Sequence, residues 1–354
     1  MLNIEVLEEG NNEYDQSPFQ RVHILFSSGD LKGNERNIDH GLGFTLAENQ
    51  MVSDGDDVVV TAVSYGEQTD YFIVDQYRLG GVFWAFVVFF IFAIVFAGWK
   101  GFNSILGLFI SIGIIMWFIV PRIIAGDNPM IISLIGSLVI MFVTLYLAHG
   151  FTKKTTISLV SSLITLTISV FMSNAFVTGS KLMGLGSEDA FFLQYDVANI
   201  NLRGLLLGGI IIGVLGVLDD ITTAQAAAVY ELKRANLALK TKDLYERGIR
   251  IGKEHIASLV NTLAMAYVGS SLPLLLLVSV NLNSKLWVIA NSELIVEEII
   301  RTLIGSTSLI LAVPITTLLA AYYFGKQKDF PDTGGHVSLL FVTSRVYQNS
   351  RSVK

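Results

Sequence analysis

Two textures of hydrophobic and polar residues divide the chain. Through residue 78 apolar and polar positions alternate in short runs. Alternation with period two puts every second side chain on one face of an extended strand. Asn3–Leu7, Phe19–Phe26, Glu35–Ile38, Asp57–Val63 and Tyr71–Asp75 read as five strands, punctuated by Gly and Asp at Ser28–Asp30, Lys32-Gly33 and Ser53–Asp57. Five strands in so short a stretch predict a small all-β barrel of OB type. From Leu79 the apolar runs lengthen to about twenty residues, enough for a helix to cross a hydrocarbon core of about 30 Å. Seven such runs lie at 80–99, 102–120, 129–148, 155–177, 202–223, 256–280 and 300–323. In lipid a spanning segment of this kind satisfies its backbone groups as a helix. The expected fold is an α-helical polytopic membrane domain of seven transmembrane helices over 79–326. An OB-like barrel over 1–78 precedes it, and a tail over 327–354 follows.

Composition agrees with the second texture. The chain is 52% hydrophobic and 15% charged, where soluble domains carry about 25% charged residues. The net charge of −6 conceals an asymmetry, with −11 over residues 1–78 and +5 over 79–354. A barrel at −11 repels a phosphate backbone, so the nucleic-acid binding common among OB folds is set aside. There are no cysteines, which excludes disulfides, zinc–thiolate sites and thiol chemistry. Of the Lys and Arg residues beyond residue 78, fifteen fall in the loops and tail of one side and five on the other. The cytoplasmic face takes the excess, so the tail is expected inside, with the barrel and the 178–201 loop outside. An exported barrel calls for a hydrophobic signal, and the first residues offer none. A signal-anchor helix preceding Met1 is the expected solution; the alternative is that the first internal span translocates its own N-terminus.

Chemistry concentrates where polar residues interrupt the apolar runs. Asp219 and Asp220 stand adjacent in the fifth run, about 25 Å along a helix entered at Leu202, which puts them in the cytoplasmic third. A carboxylate in hydrocarbon costs roughly 2.5–3.5 kcal/mol on insertion scales. Gly209, Gly213, Gly216, Asp220, Thr223 and Ala227 share one helical face, which predicts a close helix–helix seam containing Asp220. Two readings stand. Thr222 and Gln225 have the spacing of a capping box, so the aspartates would end the membrane helix and a second helix would start at Ala224. Alternatively Asp219, Asp220, Thr222, Thr223 and Gln225 converge with Asn261, Thr262, Thr316 and Thr317 at one depth, offering carboxylate, amide and hydroxyl oxygens to a cation or proton. Ser270, Ser271, Ser306 and Thr307 form a second polar level nearer the outside, with Pro273 and Pro314 freeing carbonyls as in the broken helices of transporters. The hydroxyl-rich fourth run, 155–177, reads as helix packing or as the lining of a pathway. Asp54, Asp56 and Asp57 read as a solvated hairpin turn, since their spacing fits no EF-hand loop.

Among enzyme signatures the chain lacks G-x-x-x-x-G-K-[ST], H-E-x-x-H and G-x-S-x-G. No enzymatic activity and no cofactor are expected. His149 and His255 sit at helix ends and read as interface residues.

The stretch from Asp219 to Arg234 and that from His255 to Leu275 resemble the YibE/F-like family of bacterial multi-pass membrane proteins. The resemblance covers Leu79 to Lys326, and the barrel is similar to one that family members carry ahead of it. It implies a bacterial cell membrane location and an additional leading helix, and it supplies no substrate. The residues themselves point to a permease or channel-like transporter of a small ion or solute, or else to a non-transporting scaffold that docks an extracytoplasmic partner through the barrel.

Overall fold

The computed structural model describes residues 4–11, 18–41, 50–65, 68–196, 200–273, 276, 279 and 285–327. The tail beyond Gln327 and the outer end of the sixth expected span lie largely outside the described residues. The chain forms two compact units, Met1–Gly98 and Trp99–Lys354.

In the first unit the strands are β1 Ile4–Asn11, β2 Pro18–Leu25, β3 Glu35–His40, β4 Val58–Tyr65 and β5 Gln68–Gln76. All five expected strands form, but among the described residues they do not close into a barrel. β1, β2 and β3 make one antiparallel sheet, and β4 and β5 make a separate hairpin. Alternation specifies a buried face and not which edges pair, so it does not distinguish a barrel from two facing sheets. The two sheets share one core of Val22, Ile24, Phe26 and Ile38 on one side, Val58 and Ile73 on the other, and Val52 from the connection. Gln20 is buried beside them. Its amide nitrogen donates to the Val52 carbonyl at 2.9 Å and its oxygen accepts from the Val52 N–H at 2.8 Å, so both ends of a buried polar group are satisfied. Asp54 accepts from the Val6 N–H and Asp56 from the Ser53 N–H. These carboxylates hold backbone, as the turn reading requires.

The helices are α1 Leu79–Ile114, α2 Val120–Ile124, α3 Pro129–His149, α4 Lys153–Gly179, α5 Glu188–Asp196, α6 Leu202–Ala235, α7 Thr241–Ser270, α8 Leu286–Ala290 and α9 Glu293–Gly325. Among the described residues five stretches are long and apolar enough to cross a membrane: Leu79–Ile124, Pro129–His149, Lys153–Gly179, Leu202–Ala235 and Glu293–Gly325. The described residues do not reach the expected count of seven. The first two expected spans fall within Leu79–Ile124, a stretch broken by a kink near their junction. Gly98 leaves the helical conformation within it, at φ 57° and ψ −140°, and the two units divide there. The helix resumes at Trp99, so the break falls next to the boundary expected between the first two spans. A π-turn over Ile115–Ile119 precedes Pro121, with the Val120 N–H reaching back to the Ile115 carbonyl. The sixth expected span begins in the second half of α7, whose first half carries Lys242, Arg247, Arg250 and Lys253, and its outer end lies outside the described residues. The described part of α7 is too polar to cross a bilayer on composition.

In the second unit α4, α6 and α9 pack on one another, with α3 on α6 and α7 against α9 and α6. The shared core includes Leu166 of α4, Ile210, Val214 and Leu218 of α6, and Leu309 and Val313 of α9. The hydroxyls of α4 serve this packing. Ser158, Ser161, Ser162, Thr165, Ser169 and Ser173 are all buried, and Ser161, Thr165, Ser169 and Ser173 each donate to the carbonyl four residues back. The Ser169 and Ser308 hydroxyls lie 2.6 Å apart across α4 and α9. At the start of α9, Glu293 Oε1 accepts from the N–H groups of Met183, Gly184 and Leu185, and Glu297 Oε1 from that of Gly186. Gly184 has φ +86°, and a Cβ there would overlap the Leu202 carbonyl.

Glycine also sets the approach of α7. A Cβ at Gly248 would sit 2.7 Å from Thr317 Cγ2, and one at Gly252 would overlap Val313. Gly209 has open space around it. Gly252→Ala is expected to destabilise the purified chain by about 1–3 kcal/mol through overpacking, whereas Gly209→Ala leaves stability unchanged or slightly raised. Thermal unfolding of both variants in detergent checks the contrast.

Candidate functional site

A cavity of about 660 Å³ opens between α1, α3 and α6. α1 contributes Ser104, Gly107, Leu108 and Ser111, and Ile115 follows from the π-turn. α3 contributes Ile140, Thr144, Ala148 and His149. α6 contributes Ile212, Leu215, Gly216, Asp219, Asp220, Thr223 and Ala224. Small residues spaced three and four apart on α1 and α6 keep the helix backbones on the cavity wall. Nine of the sixteen lining residues carry no polar side-chain atom.

The polar groups on this wall differ in what they have left to offer. Ser111 donates to the Gly107 carbonyl at 2.8 Å and Thr144 to the Ile140 carbonyl at 2.9 Å. The Ser111 proton is spent within its own helix, while the Thr144 hydroxyl also lies within hydrogen-bonding reach of the Asp219 carboxylate. Asp219 is half-buried, and its Oδ1 is sealed from solvent with no hydrogen-bond partner. Thr223 Oγ1 is in the same condition one turn further on. A buried polar atom without a partner costs about 1–3 kcal/mol, so each marks a place where an unseen group is wanted. Asp220 is exposed and marks where the cavity reaches the surface. His149 is exposed at the C-terminal end of α3.

The predicted convergence is therefore split three ways around α6. Asp219, Asp220 and Thr223 meet on the cavity. Thr222 turns to α4: it donates to the Leu218 carbonyl at 2.8 Å, lies 2.9 Å from Ser162 Oγ, and its carbonyl accepts from Ser158. Gln225 turns to α7 and α9, donating to the Gly248 carbonyl at 2.8 Å and to Thr317 Oγ1 at 2.7 Å. Thr316 Oγ1 and Gln225 Oε1 are buried without partners. Asn261 and Thr262 are exposed on α7, and Thr262 donates to the Ser258 carbonyl. Neither lines the cavity.

The capping reading is overturned. α6 is one helix from Leu202 to Ala235, so nothing ends at Asp219 and nothing starts at Ala224. Its end lies lower, where the buried Lys233 ammonium donates to the carbonyls of Leu237 and Leu239. The glycine seam is also corrected. A Cβ at Gly209 or Gly216 meets nothing within 4 Å and one at Gly213 meets only the Tyr267 hydroxyl, whereas Gly204 and Gly208 pack closely against Pro129 and Ser133 of α3. Spacing identifies a common face; it does not say whether a neighbour or a void lies opposite. At the second polar level Ser270 is exposed and donates to the Tyr267 carbonyl, Ser271 lines a separate, smaller pocket with Tyr267 and Glu298, and Ser306 and Thr307 are half-buried. The buried hydroxyl there is Ser308, and α9 runs unbroken through Pro314. Sequence reasoning missed Ser104, Ser111 and Thr144, whose signal is small or hydroxyl residues recurring at three and four on helices assumed to face lipid. Among the described residues no group of three or more His, Asp and Glu is placed to hold a metal ion.

The family model described as YibE/F-like protein matches residues 85–326. That stretch contains the whole cavity. The chain belongs to the YibE/F-like family. No curated protein and no solved structure matches it. What this YibE/F-like chain does must accordingly be read from its own residues.

Because the YibE/F-like chain has no cysteine, single introduced cysteines report on one position each. Asp220→Cys is expected to react with a charged thiosulfonate reagent at least ten times faster than Thr222→Cys in intact membranes. Equal rates, read by mass shift, would mean that the cavity holds no water.

Proposed function

We propose that this chain is a permease or channel-like transporter of a small ion or solute, working without ATP, a cofactor or enzymatic chemistry of its own. The observation that carries the reading is the unpartnered Asp219 carboxylate oxygen on a large cavity, halfway along a helix apolar enough to cross a membrane. Ionisable groups at such depth are costly and mark ligand or ion pathways. A carboxylate needed only for folding would have been paired, as Glu293 and Glu297 are with the 183–186 backbone. In this reading Asp219 and Thr223 hold the transported species, and Asp220 and His149 screen what enters. Thr222 and Gln225 hold α6 in place between its neighbours.

The chain lies in a bacterial cell membrane, with the tail inside and the N-terminal β unit outside. The excess of Lys and Arg in the tail and the α6–α7 loop supports that orientation. A second reading has support in the charge of the N-terminal unit: a body at −11 suits docking of a basic extracytoplasmic protein, and the chain would then be a scaffold.

Full-length protein in liposomes is expected to pass sodium, protons or an alkylammonium ion down a gradient, read with internal dyes. Asp219→Asn is expected to cut that flux at least tenfold while leaving thermal unfolding unchanged. Absence of any flux, together with recovery of a stable partner through the β unit, would favour the scaffold.

A further inference from the structure

The walls of the cavity say more about the occupant than its carboxylates do. A hard inorganic cation takes six to eight oxygen ligands in close array. Here most of the wall is hydrocarbon: Leu108, Ile115, Ile140, Ile212 and Leu215 surround the space. The Ser111 hydroxyl is committed to its own helix, and that of Thr144 is shared between its own helix and the Asp219 carboxylate. The buried oxygens left without partners are Asp219 Oδ1 and Thr223 Oγ1, one helical turn apart on the same wall. The volume of about 660 Å³ lies in the range of small-molecule sites, roughly 300–1,000 Å³, which are mainly apolar with a few placed polar groups. It is far larger than a single bare ion needs.

We infer that the cavity takes an organic ammonium: a cationic amine head donating N–H bonds to Asp219 and Thr223, and an apolar body lying along Leu108, Ile140 and Leu215. An ammonium presents donors only, which is what an unpartnered carboxylate oxygen and a hydroxyl oxygen lack. Its charge offsets the Asp219 carboxylate, and its alkyl part fills the space that hydrocarbon walls keep from being useful to water. The inference rests on the reading of Asp219 as a ligand site, and it names the class of ligand. Gly216 provides a way to test it without touching the acid. It lines the cavity, and a Cβ there meets nothing within 4 Å, so the side chain of Gly216→Leu starts from open space on the cavity wall.

The experiment is calorimetric titration of the purified full chain, in a detergent with an uncharged headgroup, with hexylammonium. Butylammonium, methylammonium, sodium and the uncharged hexan-1-ol are the comparisons. Hexylammonium is expected to bind saturably, and each methylene between butyl and hexyl to tighten binding about fourfold. Asp219→Asn is expected to weaken hexylammonium at least tenfold, and Gly216→Leu to abolish its binding with an unchanged unfolding transition. Wild-type affinity in either variant overturns the assignment. Should Asp219→Asn not fold, Gly216→Leu alone decides. Saturable sodium binding with none of hexylammonium makes the site one for an inorganic cation, and equal binding of hexan-1-ol makes it a groove for a lipid chain; either result overturns the proposal. Binding is read separately from flux. An ammonium bound but not transported leaves this assignment standing and removes the permease. Sodium flux without ammonium binding does the reverse.

Discussion

A helix that crosses hydrocarbon must settle every polar group within the protein, and the second unit is arranged around how α6 does so. α6 carries Asp219, Asp220, Thr222, Thr223 and Gln225 within seven residues. Lipid would accept none of them cheaply. α4 meets Thr222 with Ser162 and Ser158, and α7 and α9 meet Gln225 with the Gly248 carbonyl and Thr317. The third face meets only Thr144 of α3 and opens on a cavity. Two faces of α6 thus bind the helix to its surroundings, and the third has its bonding capacity left over.

This division explains why glycine and serine are distributed as they are. Gly248 and Gly252 let α7 approach until its backbone carbonyl reaches Gln225. The serines of α4 turn most of their hydroxyls back on their own helix, which allows polar residues to be packed at near-zero exposure without an unmet donor. Interhelical hydrogen bonds in membranes are individually weak, averaging about 0.6 kcal/mol. Close approach along the glycines and hydroxyls of α4, α7 and α9 therefore holds these helices together at least as much as their bonds do.

Much of the outline was legible in the sequence. The strands could be read because Val22, Ile24, Phe26 and Ile38 alternate with polar neighbours, and the long apolar runs because lipid demands length. Pairing was not legible, since β4 and β5 close on each other by turn geometry that alternation does not encode. The break between the first two apolar runs was legible from Lys100 standing between them, and Gly98 supplies it. The site was half legible. Two aspartates in an apolar run announce themselves, and Thr222 and Gln225 look like companions by spacing alone. The 100° step between successive helical residues sends Thr222 and Thr223 to different neighbours, and only the packing of α3, α4 and α7 decides which of them meets a void. Ser104 and Thr144 were invisible because hydroxyls on an apolar helix are ordinarily absorbed by their own backbone.

The carboxylates at the start of α9 have a mechanical consequence. Glu293 and Glu297 grip four successive N–H groups of the loop that leaves α4, and Ser169 touches Ser308 lower down the same pair. α4 and α9 are in this way fastened at two heights and behave as a single rigid post. The part of α1 that lines the cavity is held by packing, with Gly107 against Thr144 of α3 and Ile114 and the adjoining Ile115 on the shared core.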